Sequence, residues 1–269
     1  MFTHYLKIAW RNILKYKTQS IISVLGLAIG FTAFAFTLSW IRYEREYDKH
    51  IANADRIYRV LVKDSTALGG VAKYSPNALA GYLKETFPEV EAVTGIYSFK
   101  NDFKVNNKIL LTKCNYIKAD TSFFHVFYPD IKIEYPEVID KPYYIFSEST
   151  ASKLGINYTD IGKRIDYLDI NLLSIVPDQS IQSNIPFDIV YIEKQDPDFD
   201  NAWGYYSEFT YILVKKDANI TNLENKLSEL TEQVYSNEYT CSNRKIPSKL
   251  VPLRELRTTH PDSEVSIKF

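Results

Sequence analysis

The sequence predicts an α+β protein: a single N-terminal transmembrane helix followed by a mixed α/β domain of two subdomains, a split βαβ sheet sandwich with an inserted β-rich subdomain. Three observations predict it. Thr18 to Ile41 is a run of 24 residues without a charge. The 228 residues after Ile41 mix stretches of β alternation with stretches of helical periodicity. A strand-helix-strand order occurs near both ends of that region, as it does when two such units share one sheet.

Composition removes other classes. The 269 residues are 45% hydrophobic, with 32 Lys+Arg against 33 Asp+Glu, which suits neither a disordered chain nor a polybasic nucleic-acid binder. Only 9 Gly, 11 Pro, 2 Cys and 1 Met occur, so collagen-like, disulfide-dense and thiolate-cluster metal proteins are excluded. A mean hydropathy of −0.23 excludes a multi-span membrane protein.

Residues 1–17 predict a cytoplasmic amphipathic helix. His4, Lys7, Arg11 and Lys15 follow one stripe, while Phe2, Tyr5, Leu6, Ala9, Ile13 and Tyr16 gather opposite. Lys7, Arg11 and Lys15 would sit among headgroups, with Trp10 at the same interface and Trp40 and Tyr43 at the far one. The alternative is a basic flank without defined helix.

Residues 18–41 predict the span. As a helix at about 1.5 Å per residue the run reaches roughly 36 Å, enough to cross a bilayer. From Ile21 to Ile41, 15 of 21 residues are apolar, two are Gly and four are Ser or Thr whose hydroxyls can bond the preceding turn. A buried core helix would be shorter and carry a polar stripe. A cleaved signal peptide would have a shorter apolar region and small residues at its end, whereas this run ends in Leu38, Ser39 and Trp40. Ser23, Gly26, Gly30 and Ala33, continued by Thr37, form a small-residue stripe that lets another helix approach closely; such stripes also arise in spans by chance.

Charge orients the span. Lys7, Arg11, Lys15 and Lys17 are unaccompanied by any acid up to Ile41, which keeps the N-terminus in the cytoplasm and places the rest outside. Removing those four cations leaves 28 Lys+Arg against 33 acids, or −5, for the outer part, an unfavourable surface for nucleic acid.

In the outer domain, Ile57 to Lys63 alternates as a strand, with Tyr58, Val60 and Val62 on one face. Ser75 as cap and Pro76 at the first position predict a helix lined by Leu79, Leu83 and Phe87 and stopped by Pro88. Val90 to Phe99 is the next strand. Phe209 to Lys215 is a strand, followed by a helix with Thr221 and Glu224 as capping box and Leu223, Leu227, Leu230 and Val234 as its apolar stripe; Lys249 to Leu253 closes that unit. These give subdomain one, 42–99 and 205–253. Subdomain two, 100–204, holds a hairpin from Asp102 to Lys113 around Asn106 and Asn107 and a strand from Tyr143 to Phe146. A helix capped by Ser147 then runs to Leu154 before Gly155, and Arg164 to Val176 and Ile185 to Ile192 are strands.

Catalytic patterns are poor. His4, His50, His125 and His260 form no zinc motif, and no nucleophile elbow, phosphate-binding loop or dinucleotide fingerprint occurs, so catalytic, cofactor-binding and metal residues are all expected to be none. Asp196, Asp198 and Asp200 read as a solvated loop rather than a calcium loop. Cys114 and Cys241 are either a disulfide or two free thiols. Asn157 and Asn219 begin chance glycosylation sequons.

Together, Tyr5-Leu-Lys-Ile-Ala-Trp-Arg-Asn-Ile-Leu14, Gly26-Leu-Ala-Ile-Gly30, Tyr47-Asp48-Lys49 and Ala54-Asp-Arg-Ile-Tyr-Arg-Val60 resemble the start of FtsX/MacB-type ABC transporter permeases, particularly the Bacteroidetes branch. Phe146 to Gly155 and Ile161-Gly-Lys163 are similar to the family's periplasmic core domain. His50 departs from the pattern, standing where an aromatic is usual, and Asp178 to Pro186 matches loosely. The resemblance implies a MacB-like periplasmic core domain over 42–253 and a location in the bacterial inner membrane. It implies a homodimer or pseudo-dimer with a second permease half, an ABC ATPase subunit that binds the ATP, and a periplasmic adaptor or substrate protein. No cofactor belongs to this chain. Cytoplasmic ATP hydrolysis would move the periplasmic domain to export or extrude a substrate. The segment from Trp40 through Tyr47, Asp48, Asp55 and Arg56 to Tyr58 would be the mechanical connection. Residues 254–269, with His260, Pro261 and Asp262, read as a tail toward a second span outside this sequence. A permease N-terminal portion and a free-standing single-pass binding or adaptor module both fit; a membrane-anchored hydrolase lacks a visible nucleophile-base pair.

Overall fold

The structure is a computed structural model that describes residues 2–62, 74–180, 182–193, 203, 205–238 and 248–259. The chain forms two units, Met1–Tyr47 and Asp48–Phe269.

The first unit is two helices, α1 (Phe2–Lys15) and α2 (Lys17–Arg45), interrupted at Tyr16, whose φ of −109° and ψ of 55° are not helical. No residue of α2 is buried, and it is long and apolar enough to cross a membrane. Thr32 and Thr37 donate their hydroxyl hydrogens to the carbonyls of Ala28 and Ala33 at 2.8 and 2.9 Å, satisfying polar groups that lipid would leave unpaired. The helix continues past Ile41 to Arg45 because its charged end suits it: Arg42 pairs with Glu46 at 3.2 Å, and Arg42 and Arg45 face the negative end of the dipole.

The second unit is built on one sheet. Its strands are β1 (Ile57–Val62), β2 (Ser75–Pro76), β3 (Val90–Val105), β4 (Lys108–Ala119), β5 (Tyr143–Ser147), β6 (Arg164–Ile165), β7 (Ile170–Val176), β8 (Ile189–Ile192), β9 (Tyr206–Val214) and β10 (Ser248–Pro252). The order is β10-β1-β9-β3-β4-β8-β5-β7-β6, with β2 paired to β9. β10, β1, β9 and β3 are mutually antiparallel neighbours, so β1 and β3 run parallel on either side of β9. With α3 (Ala78–Thr86) after β1 and α6 (Ile220–Glu238) after β9, this is the expected split βαβ arrangement. Leu79, Leu83, Leu223 and Leu227 of the two helices bury against Val60 and Ile212.

The sheet does not stop there. β3 runs unbroken through residues 99 and 100, and Asn106 and Asn107, at φ 48° and 63°, turn it into β4 as a two-residue hairpin. β4 pairs parallel with β8, β8 antiparallel with β5, and β5 parallel with β7. One apolar cluster, containing Phe123, Phe124 and Phe127 of α4 (Phe123–Phe127), joins both halves, since it also takes in Ile57 and Leu213 on one side and Ile145 and Val190 on the other.

Several expected elements shift for identifiable reasons. α3 begins at Ala78, not Pro76, because the Ser75 hydroxyl is engaged by Glu208 O at 2.8 Å and Thr210 Oγ1 at 2.7 Å, holding Ser75–Pro76 in β2. α6 begins at Ile220 with Asn219 accepting from Asn222 N at 3.0 Å; Glu224 instead accepts from Leu250 N of β10 at 2.8 Å, so Thr221 and Glu224 form no capping box. The strand expected over 164–176 breaks at Asp169 (φ 55°), whose carboxylate pairs with Arg164. Only 189–192 of the 185–192 stretch is strand. Ser147 does cap α5 (Glu148–Lys153), and Gly155 at φ +73° lets Ile156 N reach back to Ala151 O at 2.9 Å. The side chains of Leu230 and Val234, and all of Cys241, Asp196, Asp198, Asp200 and His260, lie outside the described residues.

Candidate junction site

In the first unit, Lys7, Trp10, Arg11 and Lys15 are exposed along α1, and Trp40 contacts the Tyr43 ring at 6.2 Å on α2. Ser23, Gly26, Gly30 and Ala33 share one stripe of an unbroken helix, and a Cβ added at Gly26 or Gly30 would meet nothing within 4 Å. Tyr43 and Tyr47 hydroxyls lie 3.4 Å apart.

The second unit begins with a buried acid. Asp48 is 0% exposed and has φ 54°, a left-handed conformation that Asp tolerates better than most side chains. Its carboxylate accepts from Asn184 N at 2.8 Å, from the Asn184 amide, and from Ser183 Oγ at 3.2 Å; its N–H donates to Gln182 O at 3.0 Å. The Asn184 amide also donates to Leu253 O at 3.0 Å, and Ser183 Oγ accepts from Ile185 N at 3.1 Å. Burial pushes the Asp48 carboxyl up from its ordinary value, opposed by the Asn184 and Ser183 hydrogen bonds and by His50. Burial lowers His50, which stacks on Tyr128 at 6.2 Å, while Asp48 raises it.

From Asp48 the chain winds through tight turns: Ile51 N, Ala54 N and Arg56 N donate to the carbonyls three residues earlier. Ile51 and Ala54 thereby enter the central core. Asp55 pairs with Arg254 at 2.9 Å. Arg56 reaches Glu91 at 2.6 Å, Val214 O at 3.0 Å and Asn53 Oδ1 at 2.9 Å, tying the start of β1 to the ends of β3 and β9. Tyr58 lies on the helix-facing side of β1. Within the second unit the charged residues expected at the junction are thus not one cluster: Asp48 binds the 182–184 loop, Asp55 binds Arg254 after β10, and Arg56 binds β3 and β9.

Sequence reasoning missed Ser183 and Asn184, whose polar stretch carries no local signal and whose partner stands about 135 positions earlier. It also missed Arg59, 4% exposed, whose guanidinium lies 4.0 Å over the Phe209 ring on the opposite face of β1 from Tyr58. A cleft of about 690 Å3 beside α3 went unseen as well. Asp120 lies in it, accepting from Thr94 Oγ1 at 3.0 Å and Ser122 N at 2.8 Å, and burial raises its carboxyl. Gly95 leaves room there for Glu208, whose carboxylate would collide with an added Cβ. Among the described residues no group of three or more His, Cys, Asp or Glu is placed to hold a metal. Cys114 is a buried free thiol, and Asn157 and Asn219 accept hydrogen bonds at the starts of helical turns.

A domain of a protein described as a permease from Porphyromonas gingivalis is similar to this structure with a TM-score of 0.57 and 18% identity, covering 75% of this chain and 92% of that one. The periplasmic region of MacB from Actinobacillus actinomycetemcomitans is similar with a TM-score of 0.50 and 14% identity, covering 81% and 98%. The likeness at these identities is one of fold. By sequence the chain matches no curated protein. The profile of the MacB-like periplasmic core domain matches residues 20–230, from within α2 through the sheet into α6, and the chain belongs to that family.

Proposed function

We propose that this chain is the permease subunit of an ABC transporter, or its N-terminal portion, coupling cytoplasmic ATP hydrolysis to movement of a periplasmic domain for export or extrusion of a substrate. The observation that carries the reading is the span of the family match, which takes in both the membrane-length helix and the domain that starts three residues after it. ATP binds a separate ATPase subunit, and this chain is a non-catalytic partner. The acid-free cationic N-terminus favours the cytoplasm, with the domain in the periplasm of an inner-membrane protein. Lys7, Arg11, Lys15, Trp10 and Trp40 meet lipid, and the stripe of Ser23, Gly26, Gly30 and Ala33 packs on another helix, in a homodimer or with a second permease half. A net charge of −5 over the outer part suits a protein partner such as an adaptor or substrate and disfavours nucleic acid.

The test is purification of the tagged protein from its native membrane. An ABC-type ATPase recovered in stoichiometric amount supports the reading. Recovery of periplasmic proteins alone supports a free-standing adaptor and overturns it.

A further inference from the structure

Asp48 and β8 are distant in the sheet yet close in space. Three strands, β9, β3 and β4, stand between β1 and β8 in the pairing order. The loop that Asp48 holds is the one that feeds β8. From Ser183 and Asn184 it runs through buried Ile185 and Phe187 to Asp188, whose carboxylate accepts from Asn115 of β4 at 2.7 Å and whose carbonyl accepts from Ser147 N of β5 at 3.0 Å. The second hydrogen of the Asn184 amide goes to Leu253 O, just past β10. The first residue of the domain, the end of its edge strand β10, and the β8-β5 half of the sheet therefore meet at one asparagine.

A site concerned only with packing would place an apolar side chain here, since a buried carboxylate carries a desolvation cost. Three donors from one short loop converge on it instead, two of them from the same residue. Each of these bonds is directional, and removing the acceptor would leave its donors without a partner in a buried place.

We propose that Asp48 and Asn184 are positioning residues forming a strut. It locks the first residue of the domain to the β8 side, so that displacement at residue 48 reaches β8 and β5 together with β1 and β10 rather than strand by strand. The use of that displacement rests on the transporter reading; the strut is a property of the domain alone.

The test uses the full chain in detergent, with Cys114 and Cys241 replaced by Ala. Paired spin labels are placed at exposed Lys49 and Lys163, spanning the strut, or at Lys49 and Lys249, lying on the β1-β10 side. In Asp48→Ala and Asn184→Ala the Lys49-Lys163 distance distribution should broaden about twofold, while the Lys49-Lys249 distribution stays unchanged. Asp48→Asn keeps an acceptor and tolerates the left-handed backbone, so it should recover much of the narrow distribution. Should the Ala variants fail to fold, Asn184→Ser removes the amide while keeping the loop N–H, and should broaden the first pair only. Unchanged distributions, or equal broadening of both pairs, overturn the strut. No ATPase or substrate is involved, so this outcome is separable from failure of the copurification.

Discussion

In the β10-β1-β9-β3 half, α3 and α6 press Leu79, Leu83, Leu223 and Leu227 onto antiparallel strands. In the β4-β8-β5-β7-β6 half the described helices, α4 and α5, are five and six residues long, and loops are fixed by side-chain acceptors. Asp188 holds Asn115, Asp178 holds Ser149, Asp102 accepts from Lys113 N, and Asp48 reaches across to Ser183 and Asn184. The first half is clamped by α3 and α6, with Asp55, Glu91 and Glu224 adding polar ties. The second has its own apolar cluster around Phe146, Leu172 and Ile189 but fastens its loops with carboxylates, each of which answers to protonation and to the loss of a single partner.

The largest effect should come from the apolar side. Leu83→Ala removes a 0% exposed side chain from between α3 and the sheet, and should cost about 3 kcal/mol in denaturant-induced unfolding. Because β3 of the first half pairs with β4 of the second, fluorescence from each half should report one shared transition; two separate midpoints would show that the halves unfold independently.

Next is Asp188→Ala, which strands the backbone N–H and side-chain amide of Asn115. A loss of about 2 kcal/mol is expected, with faster hydrogen exchange in β8 and β5 than in β1 and β9. Equal exchange throughout would erase the distinction between the halves.

The carboxylates also differ in sign. Hydrogen bonds from Ser149 hold Asp178 below its ordinary value, so its contribution is present above the unfolded carboxylate pKa, about 4, and is lost as pH falls through the folded value. Asp48 is raised by burial, so its titration favours the fold at low pH, and that contribution is lost as pH rises through the raised value. Stability measured against pH should therefore lose an acid-side decline in Asp178→Asn and gain a steeper one in Asp48→Asn. Parallel curves for the two variants would refute the assignment.

The smallest effect is expected at Gly155. An added Cβ meets nothing there, so Gly155→Ala carries only the cost of a left-handed alanine, about 1 kcal/mol in the same unfolding measurement.

Legibility followed the same division. The long apolar helix, the strands around Tyr58 and Phe209, and the buried leucines Leu79, Leu83, Leu223 and Leu227 of α3 and α6 could be read because apolar runs and apolar periodicity are local. Asn106-Asn107 and Gly155 could be read because their backbone conformations demand those residues. Two errors fell where a polar side chain had a distant partner: Ser75 and Glu224 look like caps, yet tertiary contacts engage them elsewhere. Asn184 had no pattern to betray it, and the conformation of Asp48 is visible only once the loop 135 residues away is in place.

β3 carries a further consequence. Its first stretch, Val90 to Ile96, is zipped to β9, and Ile96 onward is zipped to β4. Successive side chains of a pleated ribbon point to opposite sides, so seating Ile96 inward commits Phe99 to the other side, where its ring stacks 5.1 Å from Tyr116. A slip of one position during folding, made among the earlier pairs, would turn that phenylalanine over before β4 had arrived. The phase of the outer half is thus inherited from the inner half, through a single uninterrupted backbone.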